Sequence, residues 1–76
     1  MYYLVITDAQ TGLVLDDRAW EWQKKPTKRD LAKVVLTLAP DYGDRHLKWR
    51  VEYRRIKECC SGTYWPTDTG FVEFDK

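Results

Sequence analysis

The 76-residue chain is poor in the residues that catalysis and metal binding are usually built from. It has one histidine, His46, one serine, Ser61, and two cysteines that are neighbours, Cys59 and Cys60. Nucleophilic chemistry of the Ser/His/Asp kind needs three such groups to meet in space. Here Ser61 falls in a turn-like stretch, and His46, beside Arg45, reads as a surface residue at a strand start. Asp16 and Asp17 are adjacent, so in a strand their carboxylates point to opposite faces. Asp8 with Asp16 or Asp17 is the only carboxylate pairing left near one hairpin. No enzyme is expected, and no catalytic residue is assigned. A closed zinc site wants four N or S ligands with C-x₂₋₄-C spacing; Cys59-Cys60 lacks it, so neither metal nor cofactor is expected. Neighbouring Cα atoms lie about 3.8 Å apart, closer than the ~4.4–6.8 Å of ordinary disulfides, and both cysteines read as thiols.

Other absences narrow the field further. The four glycines are scattered singly, so no phosphate-cradling loop exists. No apolar run approaches the ~20 residues of a membrane helix. Tyr2 to Ile6 is too short for a signal-peptide core and has no basic residue before it. The expected setting is the cytoplasm, without a membrane partner. A large charge of one sign is missing too. The net charge is +1, whereas dedicated nucleic-acid-binding domains usually have a pI above about 9.

What is present is aromatic and segregated. Four Trp, five Tyr and two Phe give a small chain the means to bury a core, since each ring removes roughly 150–250 Å² from water. At 43% hydrophobic and 33% charged, the composition is that of a globular domain rather than a disordered segment. Length makes it one domain, residues 1–76. Residues 1–23 carry four acids against Arg18, a net of −3; residues 24–57 carry eleven Lys and Arg against four acids, a net of +7; residues 58–76 return to −3. The basic middle keeps a polyanion in play as a partner.

The chain is organised around residues 46–57. Leu47, Trp49, Val51 and Tyr53 alternate with Lys48, Arg50, Glu52 and Arg54, the period-two pattern of a half-buried strand. Arg55 breaks the separation by falling on the aromatic side. Upstream, Tyr2 to Thr7 is apolar on both faces, as in a central strand covered on both sides or closed by a dimer. With the turn at Asp8 to Gly12 and the strand from Leu13, residues 2–15 read as a hairpin. Charge on both faces at Asp16-Asp17-Arg18 predicts a bulge or a turn there before the strand resumes as Ala19-Trp20-Glu21-Trp22. Lys24-Lys25-Pro26 breaks the pattern. Thr27 then stands three residues before Asp30, close to a capping box. Leu31, Val34, Val35 and Leu38 follow at helical spacing, and Ala39-Pro40 ends the helix. Residues 41–45 are a loop. Ser61-Gly62 reads as a turn, residues 63–65 as a short strand, residues 67–70 as a turn, and residues 71–74 as a last strand. The expected fold is α+β: an antiparallel sheet of four to five strands in the order ββαββ, with one amphipathic helix on one face.

Two binding readings follow. In the first, a protein or ribonucleoprotein partner is recognised through Trp20, Trp22, Lys48, Arg50, Arg54, Arg55 and Trp65. Trp and Arg are enriched at binding hot spots, and four tryptophans exceed what one helix-on-sheet core easily buries. Trp20 and Trp22 share a face if extended, and either cap the core or are displayed. In the second, the basic strand 46–57 binds nucleic acid. That reading has a flaw: single-strand binders combine stacking rings with cations on one surface, whereas alternation puts Trp49 and Tyr53 opposite Lys48, Arg50 and Arg54. Monomer and homodimer are both compatible with the pattern.

No family motif is matched. In general build, the whole chain from Met1 to Lys76, with no catalytic set and a surplus of Trp and Arg, resembles the short α+β proteins that phages and mobile elements encode to block host machinery, anti-CRISPR proteins among them. The resemblance implies a protein or ribonucleoprotein partner that is bound and blocked, and a host-cytoplasmic setting. It carries over no individual residue. Many such inhibitors are strongly acidic, and this near-neutral chain departs from them there.

Overall fold

Strand β3 (Leu47–Tyr53) pairs on one side with β1 (Tyr2–Asp8) and on the other with β4 (Lys57–Trp65), both antiparallel. Strand β2 (Val14–Trp22) lies outside β1, and β5 (Phe71–Phe74) outside β4, so the five-stranded sheet runs β2-β1-β3-β4-β5. The computed structural model describes residues 1–66 and 70–75; the turn read at 67–70 therefore lies largely outside the described residues. Among the described residues the architecture is α+β, one antiparallel sheet with one helix, in the expected ββαββ order.

Helix α1 (Lys28–Leu38) starts where the sequence places it. Thr27 Oγ1 accepts from the Asp30 N–H (3.1 Å), and the Asp30 carboxylate accepts from the Thr27 N–H (3.2 Å), completing a capping box. After Leu38 the chain tightens into a short 3₁₀ turn, Ala39–Tyr42, with Pro40 in its first turn. The sequence ends the helix at Ala39-Pro40 and expects a loop over 41–45, whose first two residues belong instead to this turn. Pro40 suits it because its missing N–H has no acceptor there anyway.

The core lies between α1 and one face of the sheet. Leu31, Val35 and Ala39 pack with Leu4 and Ile6 of β1, Leu47, Trp49 and Val51 of β3, and Tyr64 of β4. The alternation read in residues 47–53 therefore sorts the side chains as expected. Pairing in register puts Leu4 beside Val51 and Ile6 beside Trp49. Val5, on the opposite face, is also buried, at 1% exposure. In β2, Trp20 pairs with Leu4 but Asp16 with Ile6, so residues 17–19 bulge opposite Val5. This is the irregularity that the charge pattern at Asp16-Asp17-Arg18 predicts. The doubly apolar β1 is covered on its second side partly by the chain's own bulge.

Two readings are corrected. The strand does not run to residue 57: it stops at Tyr53, and residues 54–56 form the turn into β4. Ser61-Gly62 is not a turn but the middle of β4, which runs unbroken from Lys57 to Trp65. Both corrections have one physical source. The turn is made by Arg54 and Arg55 in the left-handed region (φ 52° and 61°), where glycine or asparagine is usual. The glycine was needed elsewhere.

Candidate functional site

The face of the sheet away from α1 carries Tyr3, Val5 and Thr7 of β1 with Glu52, Arg50 and Lys48 opposite them in register. Thr7 Oγ1 donates to the Lys48 carbonyl at 3.2 Å. Arg50 Nε donates to the Glu52 carboxylate at 3.0 Å. Register also brings Glu21, Glu58 and Glu73 to this face, paired with Tyr3, Glu52 and Thr63 respectively. From the middle of β4, Ser61 Oγ donates to Asp75 (2.9 Å) just beyond β5. The basic strand thus sits in a field of carboxylates supplied by its neighbours, and the two predicted cations, Lys48 and Arg50, do not form an isolated positive stripe.

Arg54 and Arg55 exchange the faces expected of them, because they belong to a turn and not to the alternating strand. Arg54 lies against the Tyr53 ring, 5.3 Å from its centroid, at the end of the core face, where Tyr53 also meets Tyr2 (4.8 Å). Arg55 crosses to the open face. It donates to the Asp17 carboxylate (3.1 Å) and carbonyl (3.4 Å) and stands 5.9 Å from the Tyr3 ring. Arg18, raised by the β2 bulge, approaches the same ring at 5.1 Å. None of Tyr3, Asp17 and Arg18 is among the partner-binding residues expected from the sequence. The bulge that gathers them was legible there, but its contact with the Arg54-Arg55 turn is made across 38 residues.

The four tryptophans divide sharply. Trp49 is core, at 2% exposure, with its edge on Phe74 (5.2 Å between centroids). Its indole N–H has no partner among the described residues. Trp65 is 40% exposed and stacks on His46 at 3.8 Å. That stack is what half-buries His46, correcting its reading as a surface residue; its Nε2 is buried without a partner among the described residues. Trp20 is 46% exposed, and Trp22 is half-buried at the margin of the core. Both alternatives weighed for this pair therefore hold, one for each ring.

Trp20 and Trp22 project from β2 towards α1 and form one wall of a groove of about 490 Å³. Asp30, Lys33, Val34 and Thr37 make the other wall. These four lie on the flank of α1 next to the Leu31–Val35 stripe, at helical spacing, so their common side was readable from period alone. The structure thus brings Trp20 and Trp22 together in the groove and puts Arg55, Tyr3, Arg50 and Lys48 on one open face, whereas Trp65, stacked on His46, is not part of the groove lining.

A separate polar cleft of about 560 Å³ opens beside the β1–β2 turn and includes Asp8, Tyr42, Arg45 and His46. Asp8 accepts from the N–H groups of Gln10 (2.8 Å) and Thr11 (3.2 Å) and from Arg45 (2.9 Å). These donors, the Gln10 amide foremost, hold its carboxyl below the usual carboxylate range against the opposing effect of burial. Tyr42 donates to Asp16 (3.2 Å); burial first, then the Asp16 charge, push its hydroxyl up to about 12. Asp8 and Asp16 therefore each have their own partner. Cys59 and Cys60 are free thiols, and burial pushes the Cys60 thiol up. Among the described residues, no three His, Cys, Asp or Glu side chains stand close enough to hold a metal ion. No described helix is long and apolar enough to cross a membrane.

Comparison with protein-family models, with curated proteins and with solved structures gave no match to this chain.

Proposed function

We propose that this protein works by binding, without catalysis, and that its partner is a protein or ribonucleoprotein held through the Trp20–Trp22 groove. The observation that carries this reading is a tryptophan nearly half exposed beside a second, half-buried one, over an apolar hollow. An indole left in water costs free energy that a partner's apolar surface recovers, which is why Trp anchors so many interfaces. The particular form of the proposal is an inhibitor that occupies and blocks a larger host defence complex, as anti-CRISPR proteins do. That form rests on the general likeness of the chain to such proteins.

Nucleic acid bound along β3 is the second reading, supported by Lys48 and Arg50 on one open face. The carboxylates of Glu52, Glu58, Glu73 and Asp75 around them weaken it, because phosphates would meet both signs of charge.

One experiment separates the two. Wild type, Trp20→Ser, and the double variant Lys48→Glu with Arg50→Glu are compared in capture of partners from host lysate and in anisotropy of labelled RNA and DNA at two salt concentrations. The first reading expects a captured partner that Trp20→Ser loses and the double variant retains, with nucleic-acid binding weak. Tight RNA or DNA binding that falls steeply with salt and is abolished by the double variant would replace it with the second.

A further inference from the structure

The groove has a second property that neither ring supplies. Strand β2 is an edge of the sheet: it pairs with β1 alone, and its outer row of N–H and C=O groups has no strand beside it among the described residues. Such edges are templates for another strand, and proteins usually blunt them with bulges and charge. Here the blunting covers only half of the strand. Residues 16–18 are Asp-Asp-Arg and lie in the bulge, whereas Trp20, Glu21 and Trp22 keep unbroken register with Leu4, Tyr3 and Tyr2. The regular half of the edge is also the half that walls the groove.

We infer that this groove takes an extended, acidic segment of the partner, which adds to β2 at residues 20–22 as a further strand and seats an apolar side chain between Trp20, Trp22 and Val34. The inference rests on the partner-binding reading and names the kind of partner. Strand addition draws affinity from main-chain hydrogen bonds and specificity from pockets for alternate side chains. A groove running between an edge strand and a helix offers both. The charge at its mouth selects the sign. Lys33 lines it, and Arg29 lies one turn earlier beside Lys33 on the helix surface. Asp30 lines the groove as well and keeps its charge, so this flank of the helix carries two cations against one carboxylate, and the other acids nearby are engaged or turned away. Asp30 accepts the Thr27 N–H, Asp16 accepts from Tyr42, and Asp17 pairs with Arg55. Glu21 shares the opposite face with Tyr3. A segment alternating Asp or Glu with large apolar residues would meet cation and indole in turn.

The test is selection of displayed random ten-residue peptides on the intact protein. Enriched peptides are then made synthetically, unmodified, with Lys in place of Asp and Glu, and with alternate backbone nitrogens methylated. The expected winners alternate acidic and large apolar residues. Charge reversal and N-methylation should each weaken them about tenfold or more, and binding should protect the amides of residues 20–22 from hydrogen exchange. Lys33→Glu should weaken acidic peptides in a protein whose circular dichroism is unchanged. Winners that are basic or patternless, N-methylated peptides that bind equally well, or no enrichment at all would each overturn the inference. A homodimer that already protects these amides would overturn it as well. Failure here, with Trp20→Ser still losing the lysate partner, leaves the binding function standing and removes only strand addition. Loss of both results removes the function itself.

Discussion

Gly62 stands directly opposite Trp49 in the β3–β4 register, and the indole occupies the space a Cβ on Gly62 would need. A methyl placed there would run into the ring and into the Glu73 carbonyl, and would lie 2.7 Å from the ring's Cε2. The ring is fully buried and the carbonyl is backbone of the next strand, so neither yields cheaply. Gly62→Ala is therefore expected to cost about 3 kcal/mol, the upper end of core overpacking. Urea unfolding measures it as a fall in the midpoint with an unchanged slope. A midpoint equal to wild type would mean that the ring is not held against the glycine.

The turn between β3 and β4 makes the opposite prediction. Arg54 sits at φ 52° and is exposed, and its contact with the Tyr53 ring at 5.3 Å is worth less than the strain of its backbone. Arg54→Gly should stabilise the protein by about 1 kcal/mol, read from thermal or urea unfolding. Arg55→Gly relieves the same strain but gives up the Asp17 pair and the Tyr3 contact, so its gain should be smaller. A loss of stability in Arg54→Gly would refute the left-handed geometry.

At the start of α1, Thr27 and Asp30 cap each other's backbone. Thr27→Ala should cost about 1 kcal/mol. Thr27→Ala with Asp30→Ala should cost less than the sum of the singles, because each single change already opens the box. Strict additivity in the double-mutant cycle would show that the two bonds are independent.

Acid should release Asp8. Its folded-state pKa lies below its unfolded value, so the unfolded chain binds the proton first as pH falls, and stability rises with pH across that window. The Asp8 contribution is complete above the unfolded pKa, about 4, and is lost as pH drops through the folded value. Asp8→Asn should be less stable than wild type at pH 7 and match it more closely as the pH approaches about 2. Urea midpoints taken from pH 7 downwards test this; a difference that stays constant with pH would contradict it.

Much of this fold was legible because period carries physics. The alternation from Leu47 to Tyr53 and the Leu31–Val35 stripe are the two surfaces that meet in the core, and the Thr27–Asp30 spacing marks the helix start correctly. Legibility failed where a residue acts against its usual signal. Arg54 and Arg55 adopt a conformation that the sequence does not advertise, so the strand was read four residues too long and their faces were exchanged. Gly62 looked like a turn and is instead the room for an indole made by a strand without a side chain. The candidate site divides the same way. Trp20 and Trp22 were visible as a pair two residues apart, but the wall facing them belongs to the helix flank and becomes a groove only once α1 lies beside the edge strand.

The pairing of β1 with β3 has a consequence for how the chain reaches this state. The β1–β2, β3–β4 and β4–β5 contacts each join neighbours in sequence. Tyr2 with Tyr53, by contrast, closes a span of some fifty residues that contains the helix. Local hairpins form early because little chain entropy is lost in closing them, whereas a long closure has to wait for contacts that repay it. Closing the β1–β3 seam is therefore expected to be the slow step of folding. Substitutions along it, at Leu4 or Val51, should lower the folding rate, while those in β5 should chiefly raise the unfolding rate.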